Sequence, residues 1–164
     1  MNGVLDFLSP DLAAPEAQWR SPLERALQNA PPEIADISLT GKLEIRGEID
    51  ALEARGFELI KVTPTRGLVL CDFTRTAAVR EKLRKQFLAI DVSAKLAGLQ
   101  VRGEAIMRRL TDLDLNALPA AGSVAHVQAY VLRDGGETFR LFFPQEYGHY
   151  IAEVVVDAAE GVHR

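Results

Sequence analysis

Lys42-Leu-Glu-Ile-Arg-Gly-Glu48 is matched 56 positions later by Gly98-Leu-Gln-Val-Arg-Gly-Glu104. After their first residue the two heptads share one order: apolar, polar, apolar, Arg, Gly, Glu. Each reads as a strand, because apolar and polar residues alternate with period two. Each strand stops at a glycine (Gly47, Gly103) and passes into a helix. The elements beyond each heptad also correspond: a strand, a second strand, then a longer helix. Self-similarity at a fixed spacing is the mark of duplicated architecture. Chance similarity between two strand-to-helix corners is the alternative, and the shared order of later elements favours duplication. The expected fold class is α+β, built of two pseudo-symmetric ferredoxin-like halves, each β-α-β-β-α.

Working outward, Ile37 to Arg46 alternates (Ile37, Leu39, Leu43, Ile45) and predicts one half-buried strand. Ile49 and Leu52 predict a brief helix ending at Gly56. Phe57–Val62 and Leu68–Phe73 predict two strands joined by Thr63-Pro-Thr-Arg-Gly67. Thr74 is placed to cap a helix whose apolar stripe is Val79, Leu83 and Phe87, and Leu88–Ser93 returns as a strand. In the second half Leu96–Arg102 is a strand, and Ile106, Leu110 and Leu113 stripe a helix. Asp114–Gly122 reads as a loop and Val124–Leu132 as a strand. Arg133-Asp-Gly-Gly136 is a turn, because such turns need φ > 0, and Glu137–Phe143 is the returning strand. Pro144 opens a helix with Tyr147, Tyr150, Ile151, Val154, Val155 and Ala158 on one face. The expected organisation is a proline-rich N-terminal arm with a short helix (1–33) and one α+β domain (34–164) of two repeats, about 37–93 and 94–160.

The arm holds five of the eight prolines: Pro10, Pro15, Pro22, Pro31 and Pro32. Prolines resist long regular structure. Ser21-Pro22-Leu23-Glu24 has the composition of a helix start, with a capping serine, proline at the first position and a glutamate that completes a capping box. Leu5, Phe7, Leu8 and Trp19 are apolar residues in a segment unable to build its own core. They are the candidate partner-interface residues.

Composition narrows the function classes. The chain has 164 residues, 48% hydrophobic and 26% charged, as in ordinary globular proteins. A net charge of −4 argues against a nucleic-acid partner, which calls for a basic excess. One cysteine, Cys71, excludes an internal disulfide and a cysteine-based metal cluster, and its apolar surroundings predict a core role. No stretch reaches the ~18 apolar residues of a membrane span. The start lacks the features of a signal peptide, so a cytoplasmic location is expected.

Chemistry-bearing motifs are absent: no nucleophile elbow, phosphate loop or dinucleotide fingerprint. His126, His149 and His163 have no second ligand at helical spacing, so no metal site is expected. Asp91 ends a strand between the halves. Its expected role is to cap a turn through its own side chain, the alternative being to orient a substrate amine or a partner arginine. Asp112 and Asp114 read as loop-forming acids, with magnesium binding as the alternative. Arg46 and Arg102 end equivalent strands and read as surface ion-pair formers. No catalytic and no cofactor-binding residue is assigned.

From Ser21 onward the chain resembles the gamma subunit of heterotetrameric sarcosine oxidase, a family related to the folate-binding part of the glycine-cleavage T-protein, an aminomethyltransferase. The resemblance is carried by Ile90-Asp91-Val92-Ser93, Leu99-Gln-Val-Arg-Gly103-Glu-Ala105 and Leu110-Thr-Asp-Leu-Asp114. Leu118-Pro-Ala-Ala-Gly122, Phe139-Arg-Leu-Phe-Phe-Pro144 with Tyr147–Ala159, and Ser21-Pro22-Leu23 add to it. Residues 34 to 89 match less well. There the family's tryptophan-containing strand and Gly-Pro-x-Glu turn are replaced by Gly67-Leu-Val-Leu-Cys-Asp-Phe-Thr74. The transferase carries an acidic cluster after a Gly-Gly hairpin, whereas here Gly135-Gly136 is followed by Glu137-Thr-Phe-Arg140. The resemblance implies the folate-binding T-protein-like fold and a small accessory subunit without its own cofactor. Its partners are then larger flavoprotein subunits, and a homo-oligomer is the other expectation. A minimal tetrahydrofolate-binding, aminomethyltransferase-like protein is the alternative function, and a free-standing homodimeric scaffold is a third.

Overall fold

The computed structural model describes residues 20–162. Along them run β1 (Ile34–Asp36), β2 (Gly41–Arg46), β3 (Glu58–Thr63), β4 (Arg66–Cys71), α1 (Thr76–Leu83) and β5 (Leu88–Asp91). The chain continues through β6 (Leu96–Arg102), α2 (Glu104–Leu110), β7 (Ala120–Val124), β8 (Val127–Gly135), β9 (Thr138–Pro144) and α3 (Gly148–Val162). The strands form two sheets, ordered β3-β4-β2-β5 and β1-β6-β9-β8-β7. Every pairing is antiparallel. The molecule is thus α+β, with two antiparallel sheets and three α-helices among the described residues.

Strand alternation sorts side chains into layers. In the first sheet Leu43, Ile45 and Val69 pack under Val79 and Leu83 of α1. In the second, Leu99, Val101, Phe139, Leu141 and Phe143 pack under α2 and α3 through Ile106, Leu110, Ile151 and Val155. The opposite faces of the two sheets meet each other. Ile60, Leu68 and Leu70 from one sheet cluster with Leu132 and Phe142 from the other. Helices therefore cover the outer faces and the sheets pack face to face. Burying each such side chain stabilises by roughly 1.5–3 kcal/mol.

Several expectations are corrected. The single strand over 37–46 is split: β1 pairs with β6 in one sheet, β2 with β4 in the other, and residues 37–40 cross between them. Asp36 ends β1, its Oδ1 accepting the Ser38 N–H at 2.9 Å in a local turn. The helix expected after Gly47 is one 3-10 turn, Ile49–Ala51, with Ile49 its only buried residue. One anchor is too little to hold a longer helix, whereas α2 buries Ile106, Met107 and Leu110. The capping box at Ser21 does not form. Ser21 Oγ accepts the Leu23 N–H at 3.1 Å, and residues 22–29 are turns rather than regular helix. Asp72, not Thr74, caps the segment before α1, accepting the Thr74 N–H at 2.8 Å.

The expected loop 114–122 and strand 124–132 are a hairpin. Ala125 and His126 take φ of 46° and 65° in a two-residue turn between β7 and β8. Asn-Gly or Asp-Gly would be the expected composition of such a turn. Here contacts hold it from outside: the Ala125 N–H donates to the Leu110 carbonyl at 2.7 Å, and the Ala125 carbonyl accepts the Tyr150 hydroxyl at 3.1 Å. That bond also explains why Tyr150 stays exposed, with Tyr147, instead of joining the buried face of α3.

Candidate functional site: the layer between the sheets

Two crossovers join the sheets, and they are built alike. Residues 37–40 lead from β1 to β2, residues 92–95 from β5 to β6. Asp36 Oδ1 accepts the Ser38 N–H at 2.9 Å, and Asp91 Oδ1 accepts the Ser93 N–H at 2.9 Å. Ser38 Oγ accepts the Gly98 N–H at 3.0 Å and donates to the Gly98 carbonyl at 3.4 Å. Ser93 Oγ accepts the Lys42 N–H at 2.9 Å and donates to the Lys42 carbonyl at 3.3 Å. Ile37 and Val92 donate their N–H to the Gly98 and Lys42 carbonyls, both at 2.9 Å. Lys42 and Gly98 are the first residues of the two heptads. The glycines that close the heptads also match: Gly47 (φ 143°) and Gly103 (φ 125°) each donate to the residue just before the adjacent strand, Thr65 at 3.0 Å and Glu137 at 2.8 Å. Positive φ at both positions favours glycine.

The side chain of Lys42 is fully buried between the sheets. Its Nζ donates to the carbonyls of Ser38 at 2.7 Å and Thr40 at 2.9 Å, and sits 5.7 Å from the centre of the Phe142 ring. Burial lowers its pKa to about 8, although Asp91 and Asp36 oppose the shift. Gly98, the matching residue, has no room for a side chain: a Cβ there would lie 2.9 Å from Phe142 and 3.0 Å from the Ile37 carbonyl.

Arg140 of β9 spans the layer from the other sheet. It donates to Glu58 of β3 at 2.6 and 3.0 Å and to Asp134 at 2.6 and 2.9 Å. Burial works against its charge, but these two carboxylates outweigh burial and hold its pKa above the ordinary value.

Elsewhere the layer opens into a cleft of about 400 Å³. One sheet contributes Glu44 and Arg66, the other Leu96, Gln128, Tyr130 and Pro144, and the crossover Val92 and Lys95. Arg66 donates to Glu44 at 3.2 Å and lies beside the Tyr130 hydroxyl. Arg46 holds the other oxygen of Glu44 at 2.8 Å. Burial pushes the Glu44 carboxyl up, but Arg46 and Arg66 together bring it below its usual range. Burial raises the Tyr130 hydroxyl, with Glu44 adding to the rise and Arg66 opposing it.

The sequence-predicted residues fall in different places. Leu5, Phe7, Leu8, Trp19 and His163 lie outside the described residues. Asp91 caps a turn through its side chain, as read from the sequence, and so does Asp114, which accepts the Asn116 N–H at 2.9 Å. Arg46 forms the expected surface ion pair, with Glu44, while Arg102 and Asp112 are exposed. His126 is exposed on the β7–β8 turn, and His149 pairs with Glu153 at 3.1 Å. Cys71 is half-buried, beside Thr76. Among the described residues no cluster of His, Cys, Asp or Glu could hold a metal ion, and no helix is long and apolar enough to cross a membrane. At the Gly135-Gly136 hairpin, Asp134 accepts from Arg140 at 2.9 Å. Sequence reading missed Lys42, Glu44 and Tyr130, because polar residues on an alternating strand read as a solvated face, and it missed Arg66 because that residue read as part of the connecting loop, whereas it opens β4.

No protein-family model matches the chain, and no curated protein matches it. Solved structures do. A chain of heterotetrameric sarcosine oxidase from Corynebacterium sp. U-96 aligns with a TM-score of 0.72 and 16% identity, over 89% of this chain and 97% of that one. The glycine cleavage system aminomethyltransferase T from Bartonella henselae aligns with a TM-score of 0.58 and 16% identity, over 82% of this chain and 48% of that one. These are the two relationships that the sequence resemblance pointed to. The chain has the fold of a sarcosine oxidase subunit, a fold that also spans about half of the aminomethyltransferase.

Proposed function

We propose that this chain is a non-catalytic, gamma-like subunit of a heteromeric sarcosine oxidase, or of a related complex that demethylates N-methyl amino acids, with an assembly or stabilising role in the cytoplasm. One observation carries the reading. The likeness covers 89% of this chain and 97% of a whole chain of a heterotetramer, but 48% of the aminomethyltransferase. Likeness over nearly the whole of one chain supports the subunit reading over the transferase reading. In this reading flavin, nicotinamide cofactor and folate reside on larger flavoprotein partners, and this chain holds none. The apolar residues of the arm, Leu5, Phe7, Leu8 and Trp19, supply part of the partner surface, because clustered apolar side chains are unfavourable in water. Affinity purification of the tagged chain from its own host tests the proposal. Flavin absorbance co-eluting in fixed proportion to the chain is expected, and a colourless product at full yield would count against it.

We also infer that 37–93 and 94–160 are duplicated ferredoxin-like halves within one domain. The strand orders β5-β2-β4-β3 and β1-β6-β9-β8 support this, because each sheet then repeats one ferredoxin-like arrangement, the fourth strand of the second sheet coming from before the first. The matched crossovers and the matched glycines support it independently.

A further inference from the structure

The cleft at the open part of the inter-sheet layer has a size and lining that specify a ligand class. Its volume of about 400 Å³ falls within the range of small-molecule sites. Val92, Leu96, Pro144 and the Tyr130 ring give it apolar walls. Its polar groups are unevenly satisfied. Both oxygens of Glu44 are taken, by Arg46 and Arg66. Arg66, in contrast, carries five N–H donors, and its protein acceptors are one Glu44 oxygen and the Tyr130 hydroxyl. Charge follows the same sense. Glu44 with its two arginines leaves one positive charge, Lys95 at the rim adds one and Glu146 removes one.

A cleft with unused guanidinium donors, a small positive excess and apolar walls is complementary to a singly charged carboxylate. An amine would meet a carboxylate already occupied. A phosphate would need more cations than the cleft offers and would lose its hydration against apolar walls. We propose that this cleft binds a small monocarboxylate with an apolar body. The carboxylate sits on Arg66, with the Tyr130 hydroxyl beside it, and the body lies against Leu96, Val92 and Pro144. Planar guanidinium donors match carboxylate geometry. The proposal stands apart from the subunit reading, since the groups that form the cleft all belong to this one chain.

Amide NMR on the full chain, titrated with benzoate as the probe, tests it. Saturable shifts at Lys95, Leu96, Gln128 and Tyr130 are expected at millimolar benzoate. Benzyl alcohol and benzylamine, with the same body and no carboxylate, should bind at least about tenfold more weakly, the scale of one lost charge-assisted contact. Arg66→Met should weaken benzoate by about tenfold or more, and Lys95→Met, an exposed rim change, by about two- to threefold. If Arg66→Met does not fold, the probe comparison and Lys95→Met carry the test. Absence of saturable shifts, equal binding of benzylamine, or benzoate binding unaltered in a folded Arg66→Met would overturn the proposal. So would a cleft silent to benzoate but shifted by a peptide from a co-purified partner.

Discussion

Lys42 is where a single residue sets a property of the whole layer. It stands where the second heptad has Gly98, and its ammonium is enclosed between the sheets on two carbonyls and an aromatic face. Folding lowers its pKa from 10.5 to about 8, so above pH 8 the folded chain gives up a proton that the unfolded chain keeps. Stability rises with pH wherever the unfolded state binds more protons. Urea unfolding should therefore show a gain of roughly 1–2 kcal/mol between pH 8 and about 9.5. Lys42→Met should abolish that gain. Cys71 and Tyr130, whose pKa values are pushed up chiefly by burial, act in the opposite sense and are common to both proteins. A gain of equal size in Lys42→Met would assign the effect elsewhere. The heptad made Lys42 visible, but not its burial. Alternation separates the two faces of a strand; it does not say whether the polar face meets water or a second sheet.

At the scale of elements, the crossovers decide how the sheets are joined. Each serine hydroxyl serves one N–H and one carbonyl across the layer, in a buried setting. Ser38→Ala and Ser93→Ala should each lower stability by about 1–3 kcal/mol, the cost of stranding buried polar groups. Gly98→Ala should cost a similar amount, about 1–3 kcal/mol, because its Cβ would press on Phe142 and on the Ile37 carbonyl. Thermal or urea unfolding measures all three, and values within experimental error of the parent would refute the description of the crossovers. The duplication has its own test. In a crystal structure, the halves should superpose with Gly47 on Gly103 and Ser38 on Ser93. Superposition that pairs other residues would contradict it.

Part of this element order is legible in the sequence by itself. The matched heptads, β3, β4, β6 and the helix stripe over Val79 and Leu83 come directly from periodicity, while Phe87, expected on the same stripe, lies beyond the end of α1. A second repeat is equally present but harder to see: Asp36-Ile-Ser38 recurs as Asp91-Val-Ser93, 55 residues on (36 to 91, 38 to 93). Only the paired crossovers give those tripeptides a meaning, and with it the division of 37–46 into two strands. The β7–β8 hairpin is not legible. Ala125 and His126 carry no turn preference, and their conformation is imposed by Leu110 and Tyr150, contacts that exist only once the chain has folded.

For the whole molecule, the described residues form two sheets packed face to face, with helices outside and an apolar and ionic layer within. The arm belongs to that scale. If residues 1 to 20 serve association, deleting them should leave the melting temperature nearly unchanged while weakening assembly. A large fall in melting temperature with assembly intact would reverse that assignment. The central claim is subunit membership, and native mass spectrometry of the protein purified from its own host tests it most directly. The expected result is an intact mass in which this chain is bound to larger flavin-bearing chains at fixed stoichiometry; recovery of only a free 18.0 kDa monomer would contradict the claim.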